Sequence, residues 1–415
     1  MPLSARRRFL ARSFGALLTI VAGFGLAAIG ADQAQPATRV LFIGNSYTYF
    51  NNLPEMFARL AAARGRKVET FMVAPGGWRL KDHWEKGGGL AALHGSRWDF
   101  VVLQDQSTLG VSYYVDGTAR VSSDEVFRPY ADKWAAEIRK AGAVPVFYLT
   151  WARKATPEDQ AALNSAYIRA AKAGEARVAP VGMAWAEVRR EDPSIELFFA
   201  DGSHPSATGT YLAACEMYAA IFRASPVGLP AAISGVPANL DTGAPEPGKT
   251  AVLVELDPET ARLLQDAAWQ AWTRTTKPGF FDVAPVAPPT VGPLPAGIRM
   301  TPGQLEGAWT GSFALYPSFR TDMVLRLNHD DQGWRGRLEL KYQAKDAADQ
   351  AFDLGDLQVG EREISFTNPA GWQGLVMRFR GVSPRAGVLR GTVDATRPNA
   401  DSPVRLQASW ELRRQ

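Results

Sequence analysis

The chain has 415 residues, more than one typical core accommodates, so two domains are the starting expectation. With 46% hydrophobic and 21% charged residues it has an ordinary globular composition, which excludes a disordered or fibrous protein. The net charge of +4 equals the contribution of Arg6, Arg7, Arg8 and Arg12; the rest of the chain is balanced and offers no basic surplus for nucleic acid.

Residues 1–31 read as an export signal. The arginines precede an apolar run over 14–28, and small residues follow at 27–31. Cleavage near Gly30 or Ala31 is expected, with a periplasmic or secreted product. The apolar run is short for a spanning helix and is interrupted by Gly15, Gly23 and Gly25, so a membrane enters only if the segment stays uncleaved. Arg6-Arg7-Arg8-Phe9-Leu10 resembles a twin-arginine signal; a general secretory signal is the alternative. Cys215 is the only cysteine, which excludes an intrachain disulfide.

From residue 38 to 276, short β-rich runs alternate with helical stretches. Strands are predicted at 40–43, 68–73, 100–103, 144–150 and 178–181, mostly continuous apolar runs of the kind found in parallel sheets covered on both faces. Helices are predicted over 53–64, 124–140, 205–223 and 257–274, and Thr156-Pro157 opens another. The Gly- and Pro-rich stretch 226–249 reads as a surface excursion. Alternating strands and helices imply a three-layer α/β sheet. Residues 277–302 hold repeated prolines and read as a stiff linker or strap. From 303 to 415 the period changes to two, as in Met323-Val324-Leu325-Arg326-Leu327, which predicts an antiparallel β-barrel or β-sandwich. That smaller domain is expected to fold on its own and to supply no catalytic side chain.

Three signatures fall at the ends of predicted strands, where open α/β sheets place their ligands. Gly44-Asn45-Ser46-Tyr47-Thr48 follows the first strand, and a tight turn there would present the Ser46 hydroxyl and N–H at the sheet edge. Taken alone, it reads equally well as a serine capping the next helix. Asp201-Gly202-Ser203-His204 precedes the helix predicted at 205–223. A serine hydroxyl needs an imidazole to take its proton, and the imidazole needs an acid on its other nitrogen. Asp201 and His204 can face one point from a turn; a buried structural histidine is the plainer alternative. Of the four histidines, only His204 follows an aspartate at this spacing. The third signature pairs Pro75-Gly76-Gly77-Trp78 with Leu103-Gln104-Asp105-Gln106-Ser107, whose N–H and amide groups could receive an oxyanion. Each half alone reads as an ordinary turn or a polar strand end.

In this order the motifs Gly-Asn-Ser, Gly, Gln and Asp-x-x-His resemble the SGNH (GDSL-type) hydrolase superfamily of esterases and acylhydrolases, over residues 39–223 with a tail to 274. The resemblance implies a flavodoxin-like three-layer parallel sheet with no metal and no cofactor. It implies Ser46 as nucleophile and first oxyanion donor, Gly77 as second donor, and His204 as a base positioned by Asp201. Gln104 stands where the family usually has Asn, as in its carbohydrate acetylesterase branch, and Gln106 is the alternative third donor. Asn45 replaces the usual Asp and can still cap the turn.

Tyr47, Tyr49, Phe50, Trp78, Trp84, Tyr113, Tyr114 and Trp151 fall on or near loops bordering this site and favour an organic ester, sugar-borne or acyl-chain-bearing. Export and the acetylesterase-like glutamine favour removal of acetyl or other short acyl groups from a glycan. A short-chain lipid esterase and a catalytically degenerate glycan-binding protein are the alternatives. A metal site of His83, His94, Asp201 and His204 is a further one, weakened by the absence of any His-x-x-x-His spacing.

Overall fold

The computed structural model describes residues 36–317, 319–343, 348–368, 374–397 and 403–415. The export signal read at 1–31 therefore lies outside the described residues. Among those described, no helix is long and apolar enough to cross a membrane.

The apolar run Val40-Leu41-Phe42-Ile43 forms the end of strand β1 (Thr38–Ile43), with all four side chains buried. A single helical turn, α1 (Ser46–Tyr49), and helix α2 (Leu53–Ala62) lead to β2 (Val68–Val73). Helices α3 (Leu80–Glu85) and α4 (Gly88–Gly95) precede β3 (Phe100–Leu103). An excursion then forms the hairpin β4 (Ser112–Val115) and β5 (Thr118–Ala119), turning on Asp116-Gly117 with both φ angles positive. There follow α5 (Phe127–Lys140), β6 (Val144–Tyr148), α6 (Gln160–Gly174), β7 (Arg177–Ala179), α7 (Val181–Glu191) and α8 (Ala207–Phe222). Strand β8 (Ala232–Gly235) forms inside the predicted excursion at 226–249 and pairs antiparallel with β9 (Ala251–Glu255) just beyond it, before α9 (Pro258–Thr275).

Strands β1, β2, β3, β6 and β7 form one parallel sheet in the order β2-β1-β3-β6-β7. The alternation along β1 feeds two cores. Val40 and Phe42 pack under α2, α7, α8 and α9, while Leu41 and Ile43 pack under α3, α4, α5 and α6. This is the flavodoxin-like three-layer arrangement, and its strand order reverses between β1 and β3. The loops leaving those two strands part there and open a crevice beyond their carboxyl ends. Two predicted strands stop early. The run at 144–150 ends at Tyr148, and the run at 178–181 ends at Ala179 because Pro180, which has no N–H to donate, stands as the N-cap of α7.

A short helix α10 (Pro302–Leu305) opens the second sheet. Its strands are β10 (Gly307–Tyr316), β11 (Phe319–Asp330), β12 (Gly333–Tyr342), β13 (Gln350–Asp353), β14 (Gly355–Val359), β15 (Glu363–Thr367), β16 (Val376–Arg385), β17 (Val388–Arg397) and β18 (Val404–Arg414). They pair antiparallel around one apolar core that includes Trp309, Phe313, Leu325, Phe379 and Trp410. Period-two patterning accounts for this: in β16, Met377 and Phe379 point inward between exposed arginines.

The second sheet also takes a strand from the first part of the chain. β10 pairs only with Glu411–Arg414 of β18, and β4 runs parallel to the remaining stretch, Ser112 opposite Val404 through Val115 opposite Gln407. The proline-rich strap starts at this seam and crosses the second sheet to β16: the Tyr113 hydroxyl donates to the Pro289 carbonyl, and Ile298 N–H to the Ser383 carbonyl at 2.8 Å. Residues 37–415 form one compact unit.

Candidate active site

The chain turns sharply where β1 ends. Only glycine fits at Gly44, since a Cβ there would lie 2.2 Å from Thr48 Oγ1 and 2.6 Å from Gln104 Oε1. The buried Asn45 then fixes the turn with three bonds. Its N–H donates to Gln104 Oε1 at 2.9 Å, its Oδ1 caps α1 by accepting Tyr47 N–H at 3.0 Å, and its Nδ2 reaches the Trp78 carbonyl at 2.8 Å. Beneath it, buried His83 donates Nε2–H to the Gly44 carbonyl at 2.7 Å, and burial pushes its pKa down to about 4, so it is neutral. Ser46 is thereby set as the first residue of a helical turn.

Asp201 and His204 lie on a loop closed by the Phe198–Pro205 bridge and by Phe199 N–H bonding the His204 carbonyl at 2.7 Å. Asp201 Oδ1 accepts the N–H groups of Ser203 and His204, both at 2.9 Å, and its Oδ2 bonds His204 Nδ1. Partial burial opposes the Asp201 charge. The bonds from the His204 ring and from the two N–H groups outweigh it and hold the carboxyl below its ordinary range. A carboxylate on Nδ1 keeps the proton there and leaves Nε2 as an acceptor. That Nε2 sits 2.8 Å from Ser46 Oγ. The Phe50 ring stacks on the imidazole at 4.3 Å and Tyr47 meets it edge-on at 5.5 Å, so its orientation is fixed on two sides. In this geometry an imidazole can take a serine proton as the hydroxyl attacks an electrophile.

Two backbone donors flank the serine. Neither Ser46 N–H nor Gly77 N–H meets an acceptor among the described residues, and Gly77 adopts φ +71° on an exposed turn tethered to Asn45 through Trp78. Gln104 stands differently from its sequence assignment. It is fully buried, its Oε1 accepts Asn45 N–H and the Thr48 hydroxyl at 2.9 Å each, and its Nε2 donates to the Asp105 carbonyl. Its oxygen is taken up in building the turn, and its Nε2, with one N–H on the Asp105 carbonyl, is enclosed by burial. Gln106 is half-buried; Thr108 holds its Oε1 from N–H at 2.7 Å and from Oγ1 at 2.6 Å, and its Nε2 lies 3.4 Å from Ser107 Oγ.

Between them, Asp105 is buried, with Oδ1 accepting Leu80 N–H at 2.7 Å and Oδ2 unpartnered. Burial raises its pKa from 3.8 to about 7. The folded chain therefore keeps a proton that the unfolded chain releases, so the contribution is complete below pH ~4 and is lost as pH rises through ~7. Asp105→Asn should flatten that slope. Relative to the parent, its unfolding free energy should rise between pH 4 and 8 by up to ~4 kcal/mol, read from guanidinium titrations. A difference independent of pH would exclude this ionisation.

The four candidate metal ligands do not converge: His83 lies under Gly44, and His94 Nε2 is 3.3 Å from Glu137. Among the described residues no three His, Cys, Asp or Glu side chains form a metal-sized group. Several aromatics expected at the site are used in packing. Trp84 packs on Trp134, Tyr114 on Tyr316, and Tyr113 is buried, while Tyr47, Trp151 and Trp185 form a stacked column behind His204. Phe199, absent from the expected set, is 48% exposed beside Phe50. Its position just before the Asp201–His204 turn gave no periodic signal.

No protein-family model and no curated protein matches this chain. Solved structures similar to it include a DUF4886 family protein from Bacteroides uniformis, at 18% identity and TM-score 0.45, covering 58% of this chain and 97% of that one. TesA is similar at 15% identity and TM-score 0.35, over 44% of this chain and 98% of its own. An acetyl xylan esterase, AlAXEase, is similar at 14% and 0.36, over 44% and 99%.

Proposed function

We propose that the chain is an exported serine ester hydrolase that removes acetyl or other short acyl groups from a carbohydrate. The observation that carries the reading is the continuous hydrogen-bonded line Asp201 Oδ2, His204 Nδ1, His204 Nε2, Ser46 Oγ, laid across the strand-order reversal. Ser46 Oγ attacks the ester carbonyl while His204 Nε2 takes its proton. The carbonyl oxygen becomes an oxyanion bonded by the N–H groups of Ser46 and Gly77 and by Gln106 Nε2, the donor whose acceptor end is already anchored. Collapse breaks the bond to the alcohol, which leaves with the proton held on His204, and water then hydrolyses the acyl-serine by the same route. No metal or cofactor takes part in these steps. The exposed Phe199 face next to Phe50 supports a sugar ring as the alcohol part. Location in the periplasm or outside the cell rests on the signal read at residues 1–31.

The test is a small-ester assay with a serine-directed phosphonate. The protein should hydrolyse 4-nitrophenyl acetate and acetylated sugars, lose activity with time under the phosphonate, and carry one adduct on Ser46 by peptide mass spectrometry. Absence of turnover, or inactivation with the adduct on another residue, would overturn the reading.

A further inference from the structure

The loop after β6 is bolted to the loop that carries Asp201 and His204. Trp151 Nε1 donates to the Ser203 carbonyl at 3.0 Å, and Lys154 N–H to the Gly202 carbonyl at 2.9 Å. Arg153 lies between these two anchors, half-buried, with Nη2 3.0 Å from Ser107 Oγ. That hydroxyl is the one Gln106 Nε2 approaches, and the Arg153 charge is also felt at the Tyr47 hydroxyl, which bonds Ser203 Oγ at 2.6 Å. Arg153, Ser107, Gln106, Tyr47 and Ser203 thus make one connected polar group, joined to Ser46 and His204 through their chain neighbours Tyr47 and Ser203.

What sets Arg153 apart is its lack of a counter-ion. Around it, Lys154 pairs with Glu196, Arg190 pairs with Glu187, and Arg189 lies over the Phe198 ring at 5.0 Å. The nearby carboxylate of Asp201 is committed to His204. Among the described residues Arg153 meets no carboxylate, and its Nε is buried with no hydrogen-bond partner. A half-buried guanidinium without a counter-ion is costly unless something supplies the opposite charge, and with Nε enclosed it is the outer Nη edge that an incoming acceptor meets. Its planar fork matches a carboxylate better than a hydroxyl.

We propose that Arg153 is a specificity-determining residue that receives a carboxylate carried by the substrate, so that the preferred ester belongs to an anionic molecule. This rests on the ester hydrolase reading. The carboxylate could sit on the alcohol part, as in an acetylated sugar acid, or on the acyl part, as in a dicarboxylic half-ester; the Arg153 contact is the same.

Two matched pairs separate these sources: acetylated methyl glucuronoside against acetylated methyl glucoside, and 4-nitrophenyl hemisuccinate against 4-nitrophenyl butyrate. In at least one pair kcat/KM should favour the anionic member by about tenfold or more, as a charge-assisted bond implies. The preference should reside in KM and fall with added salt. In Arg153→Met the ratio within that pair should drop to about one, whatever change both members share. Neither pair favouring the anion in the unaltered protein would overturn the proposal, and so would an unchanged ratio in a folded Arg153→Met. Should that variant fail to fold, the unaltered protein decides: free glucuronate should inhibit competitively where glucose does not, and equal inhibition by the two sinks the idea. Hydrolysis of neutral esters without anionic preference rejects Arg153 alone, whereas no hydrolysis of any ester rejects the underlying activity.

Discussion

Ser46→Ala and His204→Ala should each lower kcat on a small ester by roughly four to six orders of magnitude, and the double variant should be hardly worse than either. The reason is geometric. In the proposed mechanism the serine proton leaves along the 2.8 Å bond between Ser46 Oγ and His204 Nε2, so either deletion ends that route. Asp201→Asn should cost less, about 10²- to 10³-fold, although a fully buried carboxylate in this role is worth roughly 10⁴-fold. The Asp201 side chain is 42% exposed, so water can partly stand in for it at Nδ1. The asparagine can still accept the Ser203 and His204 N–H groups through its oxygen, and the loop should remain folded. Gln106→Ala should lower kcat by about 10²-fold with little change in KM, as loss of one oxyanion donor does. Gln104→Ala should act on stability instead, by about 1–3 kcal/mol, because it strands Asn45 N–H and the Thr48 hydroxyl without an acceptor. A Gln104 variant that unfolds normally but loses turnover would reverse the two assignments.

The two glutamines show where sequence reading stops. Strand ends, glycine turns and Asp-x-x-His were legible because each depends on local chemistry: apolar runs, close backbone approach, and an acid and a base within one turn. Which of two glutamines faces the crevice depends on how the chain bends after Leu103, and that bend is set by Leu80 N–H on Asp105 and by Thr108 on Gln106. These are tertiary bonds or unrecognised turn contacts with no periodic signature. Helix α7 was within reach, since Val181, Ala184, Trp185 and Val188 repeat at helical spacing. The β4–β5 hairpin was too: Asp116-Gly117 between Tyr114-Val115 and Thr118 is a strong hairpin signal. Its partner was not, because pairing between Ser112–Val115 and a strand nearly 300 residues later leaves no local trace.

That long-range pairing changes what a shortened chain should do. Read from sequence alone, a chain ending at Trp272 retains turnover on a small ester, because the β part supplies no catalytic side chain. The structure leads to a different outcome. Thr108, whose N–H clamps Gln106, shares its one hydroxyl proton between Gln106 Oε1 and the Val111 carbonyl, and the next residue, Ser112, donates its N–H to the Pro403 carbonyl at 3.1 Å. Asp116 at the hairpin tip accepts both the N–H and the hydroxyl of Ser409, at 2.6 and 2.8 Å. Gln106 is therefore held from one side by a segment whose own partner is β18. Ending the chain at Trp272 also strips Phe280, Phe281 and Val283 from the core beneath α5 and α6, and leaves β4, still paired with β5, without its β18 partner on the other edge. Such a chain should keep the parallel sheet by circular dichroism yet lose about 10²-fold in kcat on 4-nitrophenyl acetate, matching Gln106→Ala, and should self-associate. The full-length variant Asp116→Ala probes the link, since it removes the two side-chain bonds to Ser409 while the Asp116 N–H bond to the Gln407 carbonyl and every strand remain; a loss of severalfold in kcat at unchanged KM is expected. Full small-ester turnover in a soluble chain ending at Trp272 would show that the loop from Gln104 to Ser122 holds its shape without the second sheet.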